Sequence, residues 1–206
     1  LIGFRTGDLH VKYLNAGGRT LWVECASTRR EQIALCRSLF SRYGRCWVGA
    51  PKKTGARGVH ALVDESFRFL LNKPDRIPPW ILGSENSFAA FLAGYTDAEG
   101  HFAVGSARAE LAIQSYDWGI LSDIADGLRR FGIGCIGPWV VARPHSFVNA
   151  NGYSNRKAVW RIQVGRQEAL RRLIRLLRPY VRHAKRRRDM LAAERRLVQL
   201  MNRRKV

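Results

Sequence analysis

The chain of 206 residues is one unit written twice, and a repeat of that length constrains the fold more tightly than composition does. Tyr43-Gly44 recurs as Phe131-Gly132 and Ser27 as Ser115, both 88 positions on. Asp8 recurs as Glu99, 91 positions on. Each copy predicts the order helix, strand, strand, helix, strand, strand, helix. In the first, a short apolar segment ends at Asp8. Alternation over 10–14, a Gly17-Gly18 turn and alternation through Leu21, Val23 and Cys25 predict a hairpin. Apolar residues at 33, 36, 39, 40 and 43 predict a helix over 29–43, stopped by Gly44. Residues 46–48 and 59–63 read as a second hairpin around a basic loop, 51–58, and a helix is expected over 65–71.

The proline-rich stretch 73–80 marks a boundary, giving subdomains 1–80 and 81–206. The second copy predicts a helix over 88–98, strands around Phe102 and Val104 and around Leu111 and Ile113, and a helix from Trp118 to Phe131. A hairpin of 139–141 with 160–164 and a final helix from Gln167 complete it. The expected class is α+β: two pseudo-symmetric αββαββα subdomains, each with a four-stranded antiparallel sheet.

Composition narrows the partner. The formal net charge is +20, and 29 of the 36 basic residues are arginine. With 46% hydrophobic residues this describes a folded domain that meets a polyanion, not a disordered basic tail. Residues 166–206 hold 15 basic and 3 acidic residues, so +12 of the charge lies there. That stretch reads either as an arm that contacts phosphates, adding affinity but little sequence reading, or as a solvated, partly ordered helix. No apolar run approaches the roughly 20 residues that span a bilayer, and the first residues are too polar for a signal peptide. Cys25, Cys36, Cys46 and Cys135 form no CxxC pair and read as reduced thiols.

Two segments carry the chemistry. Leu92-Ala93-Gly94-Tyr95-Thr96-Asp97-Ala98-Glu99-Gly100 aligns position by position with Leu1-Ile2-Gly3-Phe4-Arg5-Thr6-Gly7-Asp8-Leu9. Gly3 and Gly7, and Gly94 and Ala98, lie on one helix face at i, i+4, where small side chains let two backbones approach. Each helix then ends in a carboxylate. Pairing the helices brings Asp8 and Glu99 together, and two adjacent carboxylates repel unless a cation lies between them.

Both segments resemble the nine-residue signature of the LAGLIDADG homing endonucleases, the second closely, the first with Arg5, Thr6 and Leu9 departing from the pattern. The resemblance implies two subdomains packed through the motif helices in one monomeric chain. It implies a double-strand break with 3′ overhangs in a long duplex DNA target. Asp8 and Glu99 would bind Mg²⁺ (or Mn²⁺) and act as catalytic residues. The family often places a Gln after the second strand and a cation after the fourth. The aligned Gln position reads Ser27 and Ser115, or Gln114 if the register slips by one; Arg166 would supply the cation in the second copy, where the first offers only Asp64-Glu65.

DNA would lie on the outward sheet faces. Alternation turns Val11, Tyr13, Phe102 and Val104 to the core, and His10, Lys12 and His101 outward. Arg161 and Gln163 alternate with Trp160, Ile162 and Val164. Such faces suit a major groove, and two in tandem make a long saddle. Loop candidates are Lys52, Lys53 and Arg57 in the first copy, and Arg143, His145, Asn149, Asn151, Tyr153, Arg156 and Lys157 in the second. Arg19, His60 and Arg108 on the hairpins complete the set. The alternative is a non-cleaving member of the fold, an intron RNA maturase binding its host intron RNA or a DNA-binding regulator. The divergent first motif favours it and the retained Asp8 opposes it. The expected setting is cytoplasmic, on nucleoid DNA, or organellar.

Overall fold

The alternation around Gly17-Gly18 closes a hairpin, β1 (His10–Tyr13) with β2 (Leu21–Ser27), in a computed structural model that describes residues 1–146 and 154–202. β4 (Arg57–Val63) adds to β2, and β3 (Cys46–Val48) to β4, giving the antiparallel order β1-β2-β4-β3. The second half repeats it. β5 (Gly100–Val104), β6 (Ala109–Ser115), β8 (Val159–Val164) and β7 (Ile136–Ala142) form a sheet in the order β5-β6-β8-β7. His10 pairs with Glu24 and His101 with Ala112, so the repeat offsets read from the sequence also hold across the strands.

Helices cover one face of each sheet. The first half holds α1 (Ile2–Gly7), α2 (Arg30–Phe40) and a 3₁₀ helix (Glu65–Leu70). The second holds α3 (Pro79–Leu82), α4 (Glu85–Glu99), α5 (Trp118–Arg130), α6 (Gln167–Leu177) and α7 (Ala184–Asn202). α2 buries Leu35, Cys36 and Phe40, and α5 buries Ile120, Leu121, Ile124 and Leu128, the i, i+3/i+4 stripe of a half-buried helix. Two clusters result, one around Leu21, Val23, Phe40 and Val63, the other around Leu92, Ile113, Ile124 and Leu173. The motif helices reach across: Ile2 of α1 packs on the second cluster and Ala98 of α4 on the first.

Several boundaries differ from the sequence reading. α4 starts three residues early because Ser84 caps it, its side chain accepting from the Ser87 N–H. Residues 65–70 wind as 3₁₀, with Asp64 accepting from Ser66 N at 2.8 Å. Tyr13 and Val104 are 40% and 46% exposed rather than core, since each ends its strand at a hairpin tip. The matched glycines also meet different needs. Gly132 has φ +70°, whereas a Cβ on Gly44 would lie 2.0 Å from the Leu62 carbonyl oxygen.

The basic C-terminal stretch is two helices, α6 and α7. α7 lies along β5 and buries Met190, Ala193 and Leu197 in the second cluster. Arg178 pairs with Glu194 to hold α6 and α7 side by side. All four cysteines are free. No helix among the described residues is long and apolar enough to cross a membrane.

Candidate active site and nucleic-acid interface

Small residues set the distance between α1 and α4. A Cβ on Gly3 would lie 2.0 Å from the Phe91 carbonyl oxygen, and one on Gly94 3.0 Å from Phe4 N. A Cβ on Gly7 would lie 2.4 Å from Ala98 Cβ and 3.4 Å from Glu99 Oε1. Glu99 therefore lies against the residue that precedes Asp8. The crossing carries the two carboxylates, one from each half, to one end of the paired helices.

The divergent first motif is built into this arrangement. Arg5 is buried, and its guanidinium donates to the carbonyls of Leu70 at 2.6 Å, Leu9 at 2.7 Å and Leu71 at 3.1 Å. It fastens α1 to the end of the first half. Thr6 Oγ1 donates to Ile2 O at 2.9 Å, and Leu9 joins the first core. These departures are structural substitutions, and they leave Asp8 where the motif needs it.

The electrostatics of the pair are those of crowded acids. Asp8 is open to solvent on one side and packed by protein on the other. That packing pushes its carboxyl up to about 6, against the charges of Arg186 and Lys73. Glu99 is pushed up to about 7, first by burial and then by the charges of Asp8 and Asp117, with Lys73 and Arg186 opposing. Lys73 itself is held 2.9 Å from Asp117 Oδ2. Gln32 of α2 donates its amide N–H to Asp8 Oδ2. Among the described residues no group of three or more His, Cys, Asp or Glu is gathered as a metal cage. Two carboxylates facing open space still suit a hard divalent cation that takes its remaining oxygens from water and phosphate.

The nominated Gln114 and Arg166 part company. Gln114 stands one residue beyond the Gly100–Ile113 pair, at the end of the sheet that carries Glu99. Arg166 lies at the opposite end, beside Arg108 and Ala109, roughly 13 Å along the strands from Gly100. The cause is strand direction: β8 runs antiparallel to β6, so its C-terminal end points away from Glu99. Arg166 is therefore not part of the carboxylate site. Sequence reasoning missed Gln32, Lys73 and Arg186. Only Gln32 carried a readable signal, a polar residue on the buried stripe of α2.

On the outward face of the first sheet His10 and Lys12 are exposed, with Lys12 Nζ 5.4 Å from the Trp22 ring centre. Trp22 Nε1 donates to His60 Nδ1 at 3.2 Å, and His60 stacks on Trp47 at 5.3 Å. Lys53 and Arg57 are exposed, Lys52 lies 4.0 Å from Glu24, and Arg19 lies 3.9 Å from Glu65. The second sheet differs. Glu110, 5% exposed on that face, accepts from Arg161 at 2.9 Å and from Gln163 at 2.7 Å, with Arg108 at 3.5 Å. His101 is half-buried nearby. Glu110→Ala should leave two tethered donors without their acceptor and lower stability by about 1–3 kcal/mol. Urea denaturation measures this, and an unchanged midpoint would mean that the network carries no stability.

Arg143 and His145 begin the loop between β7 and β8, and Arg156 and Lys157 end it, exposed. Asn155 clamps its base, its amide donating to Arg143 O at 2.6 Å and to Lys157 O at 3.1 Å, while His145 Nδ1 lies 2.9 Å from Ser154 Oγ. Asn149, Asn151 and Tyr153 lie outside the described residues.

Comparison with known proteins agrees with this geometry. A profile of the LAGLIDADG-like domain matches residues 87–134, which span α4, the second sheet's first hairpin and α5. The meganuclease I-AabMI, solved bound to uncleaved DNA, superposes with a TM-score of 0.58 at 11% identity, covering 98% of this chain and 90% of that one. The chain has the fold of the LAGLIDADG homing endonucleases. The LAGLIDADG protein I-SmaMI, solved bound to cleaved DNA, gives 0.56 at 10% identity, over 98% of this chain and 89% of its own. I-DmoI, solved with DNA and Mn, gives 0.54 at 14% identity, over 85% and 93%. No curated protein sequence matches the chain. The profile includes Glu99 but not Asp8, so the first LAGLIDADG helix rests on the crossing geometry.

Proposed function

We propose that the chain is a site-specific, divalent-metal-dependent DNA endonuclease of the homing type, making a double-strand break with 3′ overhangs in a long duplex. The observation that carries this is the pair Asp8 and Glu99, one from each half, meeting at the end of a glycine-lined helix crossing. Solved proteins of the same fold were captured with DNA and Mn and with cleaved DNA, which supports the reading.

Asp8 and Glu99 would hold Mg²⁺ or Mn²⁺, and the bound metal would activate water and stabilise the leaving 3′ oxygen. Gln32 fixes the rotamer of Asp8 by donating to it. Packing of Glu99 against Gly7 fixes the second acid. Both acids belong to one chain, so a monomer has a complete site. The two outward sheet faces would read the duplex, with His10, Lys12 and His60 on one and Arg161 and Gln163 on the other.

The test is selection of bound duplexes from a randomised library in Ca²⁺, followed by incubation of the selected duplex with Mg²⁺. Cutting of both strands that stops with EDTA is the expected result. Retention of structured RNA with no cut in any selected duplex would overturn the nuclease reading in favour of a maturase.

A further inference from the structure

The start of α7 lies at the motif helices. Asp97, two residues before Glu99 and only 3% exposed, accepts the backbone N–H of Arg182 through Oδ2 at 2.9 Å. His183 is buried beside it, and its ring nitrogen accepts the N–H of Arg186 at 3.4 Å. Further along, Arg188 donates to Glu31 Oε1 at 3.0 Å. Glu31 neighbours Gln32, the residue that donates to Asp8. The start of α7 is thus strung between a residue next to one carboxylate and a residue next to the partner of the other.

Arg186 lies between those two anchors. Its Nε is buried without a hydrogen-bond partner, and its side chain forms no ion pair among the described residues. Yet its charge is felt by Asp8, Asp97 and Glu99. Lys73, the other cation near the pair, is committed to Asp117. A partly desolvated guanidinium with an unused fork is costly to hold unless a ligand completes it. Its planar donors match a phosphate.

We infer that Arg186 is a catalytic residue that contacts the phosphate at the cut, which makes α7 part of the cleavage centre. The inference rests on the nuclease reading. It also places near the carboxylates a cation that Arg166, at the far end of β8, cannot supply. Asp97 positions the helix, and Arg186 supplies positive charge where negative charge builds up on the phosphate during cleavage.

The experiment uses the full chain and a selected duplex, comparing wild type with Arg186→Gln, Arg186→Lys and, as a control, Arg195→Gln on the exposed side of α7. Arg186→Gln should cut about 100-fold more slowly in single turnover, bind in Ca²⁺ within a few-fold of wild type, and regain part of the rate as Arg186→Lys. Arg195→Gln should cut at the wild-type rate. A second readout needs no cutting. A neutral methylphosphonate at the scissile position should weaken wild-type binding in Ca²⁺ several-fold and weaken Arg186→Gln binding less, since only the metal then loses its charged partner. Equal cutting by wild type and Arg186→Gln, or the same methylphosphonate penalty in both, would overturn the role of Arg186 alone. A wild type that leaves the duplex intact overturns the nuclease reading, and the role of Arg186 at a cut falls with it. A selection that recovers no duplex overturns both.

Discussion

Asp8→Asn and Glu99→Gln should each slow double-strand cutting in Mg²⁺ by about a thousandfold or more, while affinity for the uncut duplex in Ca²⁺ stays within a few-fold of wild type. The amides keep the shape of the acids and remove only the charge that would hold the metal. Asn at position 8 can still accept from Gln32, so the local packing survives. Removing one charge also relieves the other acid. With Asp8 neutral, the Glu99 carboxyl should fall from about 7 toward the ordinary carboxylate range, because Asp8 is the first of the charges that raise it. Carboxylate carbon NMR of the metal-free variant reads that shift. Undiminished cutting by both amide variants would remove Asp8 and Glu99 from the mechanism.

The second large effect is on stability. Gly3→Ala should destabilise the fold by about 3 kcal/mol, near the upper end for overpacking, because its methyl would lie 2.0 Å from the backbone oxygen of Phe91. A side chain could swing away, but a helix carbonyl cannot. The two helices must separate, and both cores feel it, since Ile2 and Ala98 each pack into the opposite cluster. For a chain of this size that is a fall in melting temperature of roughly 6–12 °C. Gly94→Ala meets Phe4 N at 3.0 Å and should cost less. If Gly3→Ala melts with wild type, the helices are not in the close contact described.

The features legible in the sequence were those written in local spacing. The i, i+4 glycines and the acid after them are adjacent in the chain, and their recurrence in both copies predicts the crossing. The strands and their offsets were legible for the same reason. Arg166 was misjudged because its distance from Glu99 depends on the direction of β8, which spacing does not encode. Gln32 was visible in principle: α2 buries positions 32, 35, 36 and 40, and a glutamine on an apolar stripe asks for a partner. Glu110 reads in sequence as an outward strand residue, and only the neighbouring strand supplies the arginine and glutamine that enclose it. In α7 the leucines at 191, 197 and 200 allow a helix to continue; Leu197 is buried, and Met190 and Ala193 complete the buried face.

The crossing of α1 with α4 has a consequence for the order of assembly. The surface that α1 leans on belongs to α4, more than eighty residues later in the chain. During synthesis the first half can close its sheet early, but its opening segment waits for the second half to emerge. Asp8 is translated some ninety residues before Glu99 and settles only once α4 has formed. A nascent chain therefore carries no competent carboxylate pair until both halves are out and the long-range contact has formed.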